Sequence, residues 1–193
     1  MQRTWTDRFK RIIHFAIPVL VFLSLIAIDQ ITKYYFKNLY ETSGKSTVVI
    51  EDFFTLTYVI NTGAAWSFLA NVSWAQTFFK ILTCISLVLF SLFYIYAEKN
   101  NCNWLKYSIV LIVSGTIGNF IDRLLINGVI DFLSFTFWGW GFPVFNFADS
   151  CLTVGVIMLI IHYCFIDKDA LFSRKNKEEK VSDEEEEQCG GDN

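Results

Sequence analysis

Four runs of apolar residues, each long enough to cross a bilayer, constrain this chain more than any other feature. They fall at about residues 12–30, 74–97, 104–121 and 145–166. A helical span needs about 20 mostly apolar residues. Inside lipid the backbone polar groups must be paired within the segment, which a helix does. The composition agrees, being 53% hydrophobic and only 18% charged, where soluble domains carry about 25% charged residues. The expectation is a mostly α, polytopic membrane protein with four transmembrane helices. A basic start (Arg3, Arg8, Lys10, Arg11) precedes the first run, as in a cleaved secretion signal. No small-x-small site follows it, so it reads as a retained helix.

The segments between the runs are more varied. After the turn ETSGK, Phe54, Leu56, Tyr58 and Ile60 alternate with Thr55, Thr57 and Val59. This is strand periodicity and predicts a small extracytoplasmic β-sheet. Phe135, Phe137, Trp138, Trp140 and Phe142 are read as a loop lying in the membrane interface. Residues 1–167 form one membrane-embedded domain in this reading, and 168–193 a charged, disordered cytosolic tail. No basic stripe points to nucleic acid. The five cysteines show no disulfide framework and no metal-ligand spacing, and no histidine accompanies the outer carboxylates; no metal and no cofactor is expected.

Arg3, Arg8, Lys10, Arg11, Lys99, Lys106, Lys168, Arg174, Lys175, Lys177 and Lys180 share one side of a four-span topology. The positive-inside rule then puts both termini in the cytosol. Asp29, Lys33, Asn61, Asn119, Asp122, Arg123, Asp131, Asn146 and Asp149 gather at the opposite, outer end. An ionised carboxylate near hydrocarbon costs on the order of a few kcal/mol, so several of them in one place imply work. Asp29 and Lys33 stand four apart on a helix and can pair. That pair either eases the helix out of the membrane or braces a site.

Two converging carboxylates do not readily both ionise. One holds a proton while the other serves as base. Such a pair can activate water against an amide and protonate the leaving amine. Asp122 precedes Arg123 and reads as structural, which leaves Asp131, in the apolar GVIDF, and Asp149, at the start of the fourth run. Both histidines map to the cytosolic side, away from these groups. Aspartic hydrolysis is the first reading. A small proton-coupled membrane transporter using the same carboxylates is the alternative, and a non-enzymatic scaffold a third.

Five short segments carry a resemblance: DQITK (Asp29 to Lys33), NTGAAWS (Asn61 to Ser67), GNFIDR (Gly118 to Arg123), VIDF (Val129 to Phe132) and FNFADS (Phe145 to Ser150). In this order and placement the chain resembles the bacterial lipoprotein signal peptidases, or signal peptidase II, over about residues 12–165. The resemblance implies an inner-membrane aspartic endopeptidase with four transmembrane helices and a small extracytoplasmic sheet. Its expected substrates are diacylglyceryl-modified prolipoproteins, cut just before the lipidated cysteine. It places the catalytic aspartates on Asp131 and Asp149. It places substrate-binding or site-bracing groups on Asp29, Lys33, Asn61, Gly63, Asn119, Asp122, Arg123 and Asn146. It also implies globomycin-type inhibitors as ligands; membrane lipids as partners and a monomeric enzyme are expected beside it.

Overall fold

The computed structural model describes residues 5–63, 69 and 72–167. The expected charged tail and most of NTGAAWS beyond Gly63 lie outside the described residues. Four long helices dominate: α1 (Trp5–Ser43), α2 (Ala75–Lys99), α3 (Asn103–Ile126) and α4 (Phe147–Ile161), the last closing in a π-helical turn at His162–Ile166. All four are long and apolar enough to span a membrane. Their outward faces are apolar at helical spacing, as Ile81, Ile85, Val88 and Leu92 on α2 illustrate. Such a surface is stable only against lipid.

Helix α3 is the centre of the bundle. Some 44% of its apolar window is buried, against 6–17% for the other three. Small residues let α4 come close to it. Ser108 Oγ donates to the Gly155 carbonyl at 2.8 Å. A Cβ on Gly155 would stand 2.9 Å from the Ser108 carbonyl oxygen and 2.7 Å from the Ile112 side chain. Gly115 and Gly118 serve close packing as well. Gly115 abuts the Ala148 backbone, and Gly118 abuts both Ala148 and the Asp29 carboxylate.

A four-stranded antiparallel sheet caps one end, in the order β1 (Thr47–Ile50), β2 (Phe54–Asn61), β3 (Val129–Phe137) and β4 (Trp140–Gly141). The strand expected at residues 54–60 is β2. The first helix, expected to carry Asp29 and Lys33 beyond its apolar run, continues past them to Ser43. The extension packs on the sheet, with Phe36 stacked on Phe132 at 4.5 Å, and that contact rewards helix beyond the apolar run. The aromatic segment 135–142 is not a loop but the end of β3, a tight turn and β4. Its turn residues Trp138 and Gly139 take positive φ (49° and 79°), which suits a two-residue hairpin with matching twist. Phe54 and Phe145 both stack on Phe135, at 4.6 and 5.7 Å.

Helix α3 also outruns its expected end near 121, so Asp122 and Arg123 lie in its last turns. His162, on the side expected to be cytosolic, is buried. Lys80 Nζ donates to Asn127 Oδ1 at 2.8 Å.

Candidate active site

The capped end of the bundle collects its polar side chains by three local devices. The first is strand register. Asn61 on β2 stands opposite Val129, and Asp131 opposite Val59. Side chains alternate faces along a strand, so Asn61 and Asp131 share a face as diagonal neighbours. Asn61 Nδ2 donates to Asp131 Oδ2 at 3.1 Å. The Gly63 N–H donates to Asn61 Oδ1 at 2.9 Å, which turns the amide nitrogen toward the carboxylate.

The second device is a backbone bridge. Phe145 N–H donates to the Leu133 carbonyl at 3.1 Å and the Phe145 carbonyl accepts from Leu133 N–H at 2.8 Å. This clips the start of α4 to β3 and brings Asn146 beside Asp131. The third is the N-terminal cap of α4. Asn146 Oδ1 accepts from Asp149 N–H at 2.9 Å, and Asp149 Oδ2 accepts from Asn146 N–H at 3.1 Å. Such a reciprocal capping box satisfies two of the orphan donors at a helix start.

Asn146 therefore touches both aspartates. Its backbone N–H serves Asp149, while its Nδ2 donates to Asp131 Oδ1 at 2.7 Å. Asn119 on α3 completes the frame, its Nδ2 donating to Asp149 Oδ1 at 2.8 Å. Each carboxylate thus receives two N–H donors and has lone pairs left over. Burial first, and then the nearby Asp149 charge, push the Asp131 carboxyl up from 3.8 to about 7.

Behind this frame lies a buried ion cluster. Lys33 Nζ is 2.9 Å from Asp29 Oδ2 and 2.9 Å from Asp122 Oδ2, and all three side chains are at most 4% exposed. The Asp29–Lys33 pairing read from the sequence is present. Asp122, expected to be structural, pairs with Lys33 and accepts from Ile130 N–H at 3.1 Å. Asp29 Oδ1 accepts from Ala148 N–H at 2.9 Å. Gln30 also belongs here: its Nε2 lies 3.1 Å from Asp29 Oδ2, 3.1 Å from the Gly118 carbonyl and 3.3 Å from Asp122 Oδ1. Sequence reasoning passed over it, although it sits inside DQITK. Arg123 stands apart from the cluster. Its guanidinium lies over the Phe79 ring, 5.2 Å from the centroid. Its buried Nε has no hydrogen-bond partner among the described residues.

Helices and site together define a multi-pass membrane protein that encloses a pair of carboxylates at one end. Comparison with known proteins narrows the class. A family model described as signal peptidase (SPase) II matches residues 21–165. The lipoprotein signal peptidase of Staphylococcus haemolyticus (strain JCSC1435) is 39% identical over 152 residues, which is 79% of this chain and 93% of that protein. The lipoprotein signal peptidase of Staphylococcus aureus (strain JH9) is 39% identical over 143 residues, 74% of this chain and 85% of that one. A solved structure described as a bacterial membrane enzyme by the in meso method at 1.9 Å superposes with a TM-score of 0.66 at 37% identity. It covers 79% of this chain and 95% of its own. A second, at 2.3 Å, gives a TM-score of 0.64 at 38% identity, covering 76% and 86%. This chain belongs to the signal peptidase II family.

Proposed function

We propose that the chain is a membrane aspartic endopeptidase that removes the signal peptide from diacylglyceryl-modified prolipoproteins, cutting before the lipidated cysteine. Family membership supports the substrate class. The observation that carries the mechanism is Asn146, which holds Asp131 by its side chain and Asp149 by its backbone. In this reading Asp149, ringed by N–H donors, takes a proton from water. The resulting hydroxide attacks the scissile carbonyl, and Asp131 gives its proton to the departing cysteine amine. A carboxyl near 7 is suited to hold and release a proton at neutral pH.

The remaining site residues divide into two roles. Asn61 and Arg123 offer N–H groups to substrate carbonyls, and Gly63 allows close approach of a peptide backbone. Asp29, Lys33, Asn119, Asp122 and Asn146 brace the pair. The substrate's acyl chains stay in the bilayer, and the aromatic hairpin 135–142 helps exclude water from the cut bond. The setting is the bacterial inner membrane, with both termini cytosolic and the pair at the outer face. The unit is a monomer built on residues 1–167, and globomycin-type inhibitors bind at the same pair.

The test is cleavage of a diacylglyceryl-modified prolipoprotein peptide by the purified protein in detergent. Chelator-resistant cleavage, abolished in both Asp131→Asn and Asp149→Asn, is the expected result. Robust cleavage by either variant removes that residue from the pair. A folded parent that cleaves nothing, yet moves protons or solute in vesicles, replaces the hydrolase with the transporter.

A further inference from the structure

We propose that Lys33, which bonds to neither aspartate of the pair, is a positioning residue for both, acting through Asn119 and through two backbone grips. The inference rests on Asp131 and Asp149 being the reacting pair.

The grips lie one residue ahead of each aspartate. Asp29 accepts from the N–H of Ala148, and Asp122 from the N–H of Ile130. The next residues are Asp149 and Asp131. Lys33 ties the two gripping carboxylates together, at 2.9 Å from each. Three helices and β3 thereby share one cation, and the two aspartates are registered against a common point.

The third arm of Lys33 sets a polarity. An asparagine amide is close to symmetric in shape, and only its neighbours decide which end is oxygen. An ammonium has donors alone, so the Asn119 atom 3.0 Å from Lys33 Nζ must be Oδ1. Asn146 Nδ2 donates to the same oxygen at 3.0 Å. The nitrogen of Asn119 then faces Asp149 Oδ1. A reversed amide would set N–H against the ammonium and a carbonyl oxygen against the carboxylate. Asn146 needs no such help, because the backbone N–H of Asp149 already orients it.

The test uses the double variant Asp29→Asn/Lys33→Met in the full chain. It removes one anion and one cation, so the net charge of the cluster is unchanged, and the amide introduced by Asp29→Asn still has an oxygen for the Ala148 N–H. The readout is the pH profile of kcat/KM for lipopeptide cleavage, which reports the essential acid and base of the free enzyme. The charged groups around Asp149 are Asp131 on β3 and Arg123 on α3, with Lys33 and Asp29 on α1 and Asp122 on α3 behind Asn119. Both Asp131 and Arg123 are retained in the variant. Loss of the Asn119 donor is expected to move the acid limb to higher pH by about one unit, a tenfold fall on that limb. A smaller folded fraction would only scale the profile down, and an unshifted limb overturns the proposal.

Asn119→Ala leaves Lys33 with both carboxylates and keeps the idea falsifiable if the double variant does not fold. It is expected to give the same shift, with no further shift when the two changes are combined. An unshifted limb in Asn119→Ala overturns the proposal too. Should Asp131→Asn or Asp149→Asn still cleave, the reading of the pair fails instead, a separate result.

Discussion

The bundle buries a lysine almost completely at each end, and the two do different things. Lys33 and Lys106 are 1% and 2% exposed. Lys33 is matched by two enclosed carboxylates, each of which holds a backbone N–H one residue ahead of Asp149 or Asp131, the proposed pair. Lys106 meets Glu98 at 3.1 Å and His14 Nε2 at 3.1 Å. Those partners keep 21% and 39% of their side chains exposed and bond to each other at 2.8 Å. The second cluster clasps α1, α2 and α3 where water can reach it. A buried cation is not in itself a sign of a site. What marks one is partners that spend their remaining lone pairs on the local backbone.

The largest expected effect separates the two ends outright. Asp131→Asn or Asp149→Asn is expected to lower kcat by about 10³-fold, within the range for loss of general acid–base catalysis, while Lys106→Met leaves kcat within twofold. Steady-state cleavage in detergent measures both, and a large loss of kcat in Lys106→Met would erase the contrast. Next comes Asn146→Ala, which releases both aspartates and uncaps α4. A loss of about 10²-fold in kcat is expected, along with about 1 kcal/mol of stability from the missing cap.

The third effect is on stability and concerns the polar end alone. The folded Asp131 carboxyl sits at about 7 rather than 3.8. A raised carboxyl binds its proton more tightly in the fold. Its contribution is therefore complete below about pH 4 and is lost as pH climbs toward 7, by up to a few kcal/mol. Thermal melts at pH 4 and pH 8 should show a steeper decline for the parent than for Asp131→Asn. Equal slopes would mean that Asp131 is not raised. The smallest effect belongs to the hairpin tip. Trp138 is fully exposed, so Trp138→Ser should change stability by less than about 0.5 kcal/mol. Combined with Trp140→Ser it is expected to raise KM several-fold in bilayers, and an unchanged KM would remove the hairpin from the account of water exclusion.

Much of this was legible in the chain. The four spans show as apolar runs, and β2 as strict alternation. Asp131 and Asp149 stand out because ionisable groups are rare beside such runs. Other features depend on distant contacts that local pattern does not carry. Helix α1 continues past Lys33 because Phe36 finds Phe132, about a hundred positions away. The aromatic density of 135–142 masks a hairpin that hinges on two positive φ values. Lys106 looks like an ordinary interfacial cation, and only the meeting of three helices buries it. Gln30 was hidden by more eloquent neighbours, since a glutamine beside a charged pair announces nothing until its acceptors are seen.

The cap of α4 has a consequence for how such chains drift over time. Asp149 is held in place by two separate demands, one from the start of its helix and one from the chemistry proposed for it. A descendant that abandoned the reaction would still be under pressure to keep a carboxylate there. Asp131 begins no helix, and its burial makes it a burden once its work is gone. In a lineage that lost activity, Asp131 is the residue to erode first, and its survival is the better witness that a relative still cuts.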